Sequence, residues 1–138
     1  MPLTMEEVVV GNVAYFDHKV LLHEPQIDRD DDQINRPGPF VCVQVENSES
    51  VWCAITTEWK SVRLLINSAW RQGGNPRWRS DNQYLNDGLS TYLGPTDAFL
   101  RAAAAEEPFA PFTRPSISAE GIEAILGEIK KQGGPLLG

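Results

Sequence analysis

The chain has 138 residues, a length that fits one domain with its own hydrophobic core. Hydrophobic residues make up 41% and charged residues 22%, as in ordinary soluble globular proteins. No apolar run approaches the roughly 20 residues that cross a bilayer, and the net charge of −7 disfavours a general nucleic-acid binder, because phosphate contacts require lysine and arginine.

The N-terminal third predicts one strand followed by a long loop. Residues 1–11 contain no basic segment followed by an apolar stretch, so we expect no signal peptide and a cytoplasmic location. Residues 8–16 are rich in valine and aromatic side chains and predict a strand, in which Gly11 marks a bulge or a close approach of backbone. Residues 17–35 are polar and acidic and predict a loop, with His18 and His23 as ordinary loop residues.

A hairpin is predicted from strands 40–46 and 51–56, with its turn near residue 48. A two-residue turn would place Cys42 directly opposite Cys53. Two buried free thiols are favoured in a cytoplasmic chain, and a cross-strand disulfide or a redox role is the alternative. The two cysteines and two histidines do not match zinc spacing, so neither a metal nor a cofactor is predicted.

Further short strands are predicted over residues 62–66 and 84–89, with an irregular segment between them. Short strands separated by turns are typical of a small barrel or a strongly bent sheet. The fold class predicted here is therefore mainly β with C-terminal helices (α+β), a small barrel of about five to seven short strands with two helices. Residues 1–138 form a single domain in this interpretation, with a barrel core over 8–92 and a helical part over 95–138.

The two helices are predicted in the last third of the chain. The first covers residues 96–107 and ends at a proline, and the second begins after Ser118, a good N-cap. An apolar stripe at helical spacing follows, and Gly133 suits the residue after the helix. The stripe consists of Ile122, Ile125, Leu126 and Ile129. The stripe is interpreted either as a surface docked on the barrel or as part of an interface with a second copy or a partner.

Arg36-Pro37 precedes the hairpin, and Thr56 closes it. An arginine and a hydroxyl held close together on a small barrel can bind and polarise a phosphodiester without a metal. The alternatives are an Arg36 paired with the acidic loop at the surface and a Thr56 that is an ordinary β-branched strand residue.

The order of these strands, with the turn residues between them, resembles that of the MazF/PemK family of toxin ribonucleases from type II toxin–antitoxin systems. The matching segments are Gly11-Asn12-Val13, Arg36-Pro37, Phe40-Val41-Cys42-Val43 and Ala54-Ile55-Thr56, and, more weakly, residues 86–91 followed by 97–100. The resemblance covers roughly residues 8–105 and implies an SH3-like barrel with helices.

The resemblance implies metal-independent cleavage of single-stranded RNA by attack of the 2′-hydroxyl on the adjacent phosphorus. Arg36 would stabilise the charge on the phosphorane and protonate the leaving oxygen, and Thr56 would hydrogen-bond a non-bridging oxygen. This chemistry depends on preorganised donors and needs neither His18 nor His23. The implied partners are single-stranded RNA, a cognate antitoxin and a second copy of the chain.

Residues 60–80 carry five cations and no carboxylate, so the remainder of the chain carries −12. The cations are Lys60, Arg63, Arg71, Arg77 and Arg79. This segregation can create a basic face on an acidic body. Trp70 and Trp78 lie among these arginines and could stack with bases of single-stranded RNA while Arg63, Arg71, Arg77 and Arg79 contact phosphates. The alternative is two packed tryptophans with solvated arginines outside them.

Two other functions remain open from the sequence. The first is a non-catalytic barrel that acts as a protein-binding adaptor or as an inhibitor of a nucleic-acid-handling complex, which the acidic balance favours because it can present a phosphate-like surface to a basic partner. The second is a small structural subunit whose C-terminal helix docks onto a larger assembly.

Overall fold

The computed structural model describes residues 2–29, 38–86 and 91–138. Within these ranges the chain forms nine strands and four α-helices. The strands are β1 (Val13–Phe16), β2 (Asp28–Arg29), β3 (Gly38–Glu46), β4 (Glu49–Thr56), β5 (Leu65–Ile66), β6 (Arg71–Gln72), β7 (Gln83–Leu85), β8 (Thr91–Pro95) and β9 (Ser116–Ile117). The helices are α1 (His18–His23), α2 (Pro76–Ser80), α3 (Thr96–Ala102) and α4 (Ala119–Gln132), and two short 3-10 helices cover Met5–Glu7 and Ser68–Trp70.

Strand β4 is the centre of the main sheet. One edge of β4 pairs with β3, which pairs in turn with β1. The other edge is shared, because residues 49–53 pair with β8 and residues 55–56 pair with β7. β8 continues to β2 and β7 to β5, all antiparallel, and β6 and β9 form a separate small sheet. The predicted α+β class is confirmed; in the described part of the chain the sheet branches at β4 and does not close into a barrel.

Both faces of the main sheet are covered by helices. Because side chains alternate along a strand, β3 and β4 supply two separate apolar surfaces. On one face, Phe16, Phe40 and Trp52 pack with α1 and α3, and the ring centroids of Phe16 and Trp52 are 5.0 Å apart. On the other face, buried aliphatic side chains of the strands pack with α4, and the main ones are Val41, Val51, Ile55, Ile122, Ile125 and Ile129. The central strands are therefore buried on both sides.

The two cysteines lie on opposite faces of this sheet. Cys42 pairs with Trp52 and Cys53 with Val41, because the register shifts by one residue between Cys42 and Gln44. The predicted pairing of Cys42 opposite Cys53 is therefore wrong, since a bulge after Cys42 intervenes. Both thiols are free and buried, as predicted. Burial raises the pKa of Cys42 to about 12 and also raises the pKa of Cys53, so neither is a ready nucleophile.

The predicted 17–35 loop contains regular structure. Its first residues form α1, whose N-cap Asp17 accepts a hydrogen bond from the backbone N–H of Lys19 at 2.9 Å. His18 and His23 are the first and last residues of this helix rather than loop residues. Leu21 is the buried residue of α1 and joins the core with α3, so tertiary packing stabilises a helix too short to stand alone.

Helix α4 has the ends and the buried face that its sequence predicts. The Ser118 hydroxyl accepts a hydrogen bond from the backbone N–H of Gly121 at 3.4 Å, and Gly133 follows the helix with a φ of +80°. Ile122, Ile125 and Ile129 are buried against the sheet, while Leu126 is partly buried. The docked interpretation of the stripe is confirmed for these isoleucines.

The segment after α3 runs along the outer edge of β1. The predicted 96–107 helix ends at Ala102, and the backbone N–H of Ala104 then donates to the carbonyl of Tyr15 at 2.8 Å. Further on, the carbonyl of Pro115 accepts from the N–H of Val13 at 2.9 Å. We call residues 103–117 the strap. It satisfies the β1 edge, which would otherwise offer unpaired backbone groups to another chain.

Replacing Gly11 with alanine is expected to lower the free energy of unfolding by about 2 kcal/mol. Gly11 has a φ of +98°, and a Cβ there would lie 2.6 Å from the carbonyl oxygen of Ile117 in β9. Urea unfolding followed by tryptophan fluorescence measures the loss. The matched control is Gly127→Ala on α4, where a Cβ meets nothing within 4 Å, so a gain of roughly 0.5–1 kcal/mol is expected. An unchanged unfolding midpoint for Gly11→Ala would contradict the close approach.

Candidate nucleic-acid interface at the end of the central strand

Thr56 is the last residue of β4 and is half-buried. It pairs with Tyr84 of β7, and its hydroxyl oxygen accepts a hydrogen bond from the backbone N–H of Glu58 at 3.1 Å. Among the described residues no acceptor takes the hydroxyl proton, so that proton can be donated to a ligand. The position predicted for this residue, at the end of the hairpin, is confirmed.

Arg36, the predicted catalytic arginine, lies outside the described residues, as do the acidic residues 30–32 that were considered as its partners. The described part of β3 starts at Gly38, two positions after Arg36 in the sequence. β3 is antiparallel to β4, with Phe40 opposite Ala54. The chain therefore enters β3 at the same end of the sheet at which Thr56 leaves β4.

Arg63 holds the loop that follows Thr56. Its Nη1 donates to the carbonyl of Glu58 at 2.8 Å. Its Nε and Nη2 donate to the backbone carbonyl and the side-chain oxygen of Asn86, each at 2.8 Å. Three of its five N–H groups are thereby used within the fold. Arg63, which the sequence predicts to contact phosphate, therefore holds the loop that starts after Thr56. Its hydrogen bonds order residues 57–63.

Arg71 of β6 and Trp78 of α2 form a buried pair. Arg71 Nη1 donates to the carbonyl of Asp81 at 2.6 Å and also to that of Trp78, and its guanidinium carbon lies 5.9 Å from the centre of the Trp78 ring. Burial lowers the pKa of Arg71. The indole N–H of Trp78 donates to the carbonyl of Gln72 at 3.0 Å. These contacts fit the alternative of a packed tryptophan rather than a surface that stacks with bases.

The remaining predicted substrate-binding residues separate into one packed and two exposed side chains. Trp70 packs against α4, where a Cβ built at Gly121 would lie 2.9 Å from the Cβ of Trp70. Arg77 and Arg79 are exposed on α2. The structure thus links Arg63 to Thr56 through hydrogen bonds to Glu58. It leaves Arg77 and Arg79 on the surface of the segment that Trp70 and Trp78 anchor.

The sequence interpretation did not select Trp59, which is the exposed feature of this strand end. Trp59 is 68% exposed and Val62 is 71% exposed, in the loop between β4 and β5. Lys60 is also exposed there. The available indication was that Trp59 stands in a polar stretch directly after Thr56-Thr57, outside any alternating or helical apolar pattern.

A second charged cluster links the strap to the N-terminal segment. Arg114 donates to both oxygens of Glu107, at 2.6 and 2.8 Å, and to Glu7 at 2.9 Å. Burial opposes the charge of Arg114, but its hydrogen bonds with the two carboxylates raise its pKa overall, and the hydrogen bond from Arg114 lowers the pKa of Glu7. A shallow cavity of about 250 Å³ lies beside this cluster. Because Arg114 is hydrogen-bonded to both carboxylates, we interpret the cluster as structural.

Two further findings concern the described ranges alone. No group of three or more histidine, cysteine, aspartate or glutamate side chains there is arranged to hold a metal ion. No helix there is long and apolar enough to cross a bilayer.

Comparison of the chain with protein-family models, with curated proteins and with solved structures finds no significant match. The resemblance to the MazF/PemK toxins is neither supported nor refuted by these comparisons and stays a prediction.

Proposed function

We propose that this protein is a metal-independent endoribonuclease toxin that cleaves single-stranded RNA at the end of β4. The observation that carries the proposal is the Thr56 hydroxyl, half-buried at the end of the central strand, whose proton has no acceptor among the described residues. Arg36, two positions before Gly38 in the sequence, is proposed as the second donor to the phosphate. Lys60 and Arg63 follow Thr56 in the adjoining loop and add positive charge.

The proposed reaction is an internal transesterification. The 2′-oxygen attacks the adjacent phosphorus as its proton passes to water, the bond from phosphorus to the 5′-oxygen breaks, and that oxygen takes a proton from Arg36, which is reprotonated from water. The products are a 2′,3′-cyclic phosphate and a 5′-hydroxyl. Thr56 donates to a non-bridging oxygen and Arg36 stabilises the phosphorane and protonates the leaving oxygen, as preorganised donors do for developing negative charge.

The proposal includes three further elements taken from the resemblance: a homodimer, a cognate antitoxin that occupies the RNA groove, and a cytoplasmic location. The acidic remainder of the chain, which carries −12 outside residues 60–80, is compatible with a local RNA site only where the cations concentrate. The loop at the end of β4 is such a place, with Glu58 as the one carboxylate between residues 56 and 65.

The test is cleavage of a long single-stranded RNA in EDTA by the wild type and by three variants. Arg36→Ala is expected to abolish cleavage. Thr56→Val keeps the side-chain shape but removes the hydroxyl, so we expect the rate to fall about 10²- to 10³-fold. Thr56→Ser restores the hydroxyl and should retain most of the activity. Far-ultraviolet circular dichroism checks that all four proteins are folded.

Cyclic phosphate ends produced by the wild type and by Thr56→Ser, but not by Arg36→Ala, would support the mechanism. Equal cleavage by the wild type and Arg36→Ala would contradict the mechanism, because the activity would then belong to another site or to a contaminant. Wild-type cleavage that depends on added metal would also contradict it.

The second candidate function is a non-catalytic protein-binding module. It is favoured by the use of Arg63, Arg71 and Trp78 in intramolecular hydrogen bonds, which leaves fewer groups for RNA than the sequence predicts. Absence of RNA cleavage by the folded wild type under all conditions would favour this function.

A further inference from the structure

We propose that Trp59 is a stacking platform for a base of single-stranded RNA, adjacent to Thr56 in the loop that follows β4. The inference rests on the proposed function in taking RNA as the ligand. Trp59 is 68% exposed, which is unusual for a side chain whose burial would contribute strongly to a core. A large aromatic held in solvent beside a candidate phosphate site calls for an explanation in terms of binding.

The backbone on each side of Trp59 is fixed. The carbonyl of Glu58 accepts from Arg63 Nη1 at 2.8 Å, and the carbonyl of Lys60 accepts from the backbone N–H of Arg63 at 3.0 Å. The N–H of Glu58 in turn donates to the Thr56 hydroxyl oxygen at 3.1 Å. The neighbours of Trp59 are therefore tied both to Arg63 and to Thr56.

This anchoring extends to the sheet. Arg63 donates to the carbonyl and the side chain of Asn86, which follows β7, and the N–H of Asn86 donates to the carbonyl of Ala54 in β4 at 2.9 Å. The exposed indole thus stands on a loop that is ordered before any ligand arrives. A preorganised aromatic surface loses little conformational freedom on binding.

The chemistry around Trp59 favours a nucleic-acid base. Lys60 is exposed next to it, and two N–H groups of Arg63 have no acceptor among the described residues. Single-stranded nucleic acids are bound by such a combination, in which cations follow the phosphates and aromatic side chains stack on successive bases. The position of the loop directly after Thr56 would place a stacked base beside the scissile phosphate.

Val62 provides a matched control for the apolar character of the loop. It is 71% exposed in the same loop, but it has no π-face on which a base can stack. Loss of binding through Trp59 alone therefore indicates stacking, whereas equal losses at Trp59 and Val62 indicate an apolar surface for a protein partner.

The experiment measures fluorescence anisotropy of a labelled, fully 2′-O-methylated single-stranded RNA pool, which wild-type protein can bind but cannot cleave through a 2′-hydroxyl. Trp59→Ala is expected to weaken binding about 5- to 150-fold. Trp59→Phe should restore most of the affinity, because it keeps a π-face, and Val62→Ala should bind as the wild type does. Since both side chains are exposed, all variants should melt at the wild-type temperature.

Binding by Trp59→Ala equal to that of the wild type would overturn the inference, as would equal losses for Trp59→Ala and Val62→Ala or no binding by the wild type. Failure of the proposed function can be distinguished from failure of this inference. If the wild type cleaves ordinary RNA in EDTA while Trp59→Ala binds normally, the ribonuclease function is supported and the stacking role of Trp59 is contradicted. If binding depends on Trp59 but no cleavage occurs, the stacking role of Trp59 is supported and the ribonuclease function is contradicted.

Discussion

Replacing Arg114 with methionine is expected to lower the free energy of unfolding by about 3–5 kcal/mol. The Arg114 side chain is 9% exposed and its partner Glu107 is 1% exposed, with 2.6 Å between Nη2 and Oε1. Glu107 also accepts from the backbone N–H of Tyr15 at 3.1 Å, so it cannot turn toward water without releasing the β1 edge. Removal of Arg114 leaves a buried carboxylate without its countercharge. Urea unfolding of the wild type and the variant measures the loss.

The same ion pair allows a double-mutant cycle. Arg114→Met leaves the buried Glu107 without its countercharge, whereas Glu107→Leu leaves Arg114 with Glu7 as its remaining carboxylate partner. The double variant removes both charges of the Arg114–Glu107 pair. The double variant is therefore expected to be clearly more stable than the sum of the two single losses implies. Arg77→Met, an exposed arginine on α2, is the control and should change stability by less than about 0.5 kcal/mol. Additive losses around the cycle would show that the two charges do not depend on each other.

Replacing Ile125 with aspartate is expected to lower the free energy of unfolding by more than about 4 kcal/mol, a large part of the total stability of a small domain. Ile125 is fully buried where α4 packs on the sheet, so the substitution removes apolar contacts and adds a charge with no partner. Circular dichroism melting and size-exclusion chromatography measure the effect.

Gly127→Asp is the matched control for Ile125→Asp. It adds the same carboxylate to the same helix at a position where a Cβ meets nothing within 4 Å. We expect it to melt near the wild-type temperature, because aspartate is no worse than glycine inside a helix. Equal melting temperatures for the two aspartate variants would show that the isoleucine face of α4 is not packed.

The elements that were predicted well are those with local determinants. The Ser118 cap, the i, i+3, i+4, i+7 spacing of the apolar stripe and Gly133 are all local to α4, and the structure has each of them. The β3–β4 hairpin was predicted within a few residues, because a polar turn between two apolar runs is a short-range feature.

The predictions that failed depend on contacts between distant segments. The bulge after Cys42 moves the pairing by one residue, which turn geometry at Asn47 cannot reveal. Helix α1 has only Asp17 as a local start signal and is stabilised by the burial of Leu21. The end of α3 at Ala102 follows from the pairing of the strap with β1, which lies far away in the sequence.

The candidate site also has features that the sequence predicts and features that it does not. Thr56 was predicted at the end of the hairpin and is there, because a strand end is visible as the place where the apolar pattern stops. Which cations face solvent was not predictable: Arg71 is buried and Arg77 is exposed, although they lie six residues apart in the same basic segment. The exposure of Trp59 depends likewise on the three-dimensional course of its loop.

The sequence by itself determined the α+β class, the central hairpin and the C-terminal helix, since periodicity, caps and turns are properties of neighbouring residues. Only the tertiary structure decided that helices cover both faces of the sheet, that the strap covers the β1 edge, and which side chains remain for a ligand. Those outcomes depend on which distant surfaces bury each other. Arg63 illustrates the difference. Its charge is visible in the sequence, but it holds the Trp59 loop through hydrogen bonds to Asn86, which is 23 residues away along the chain.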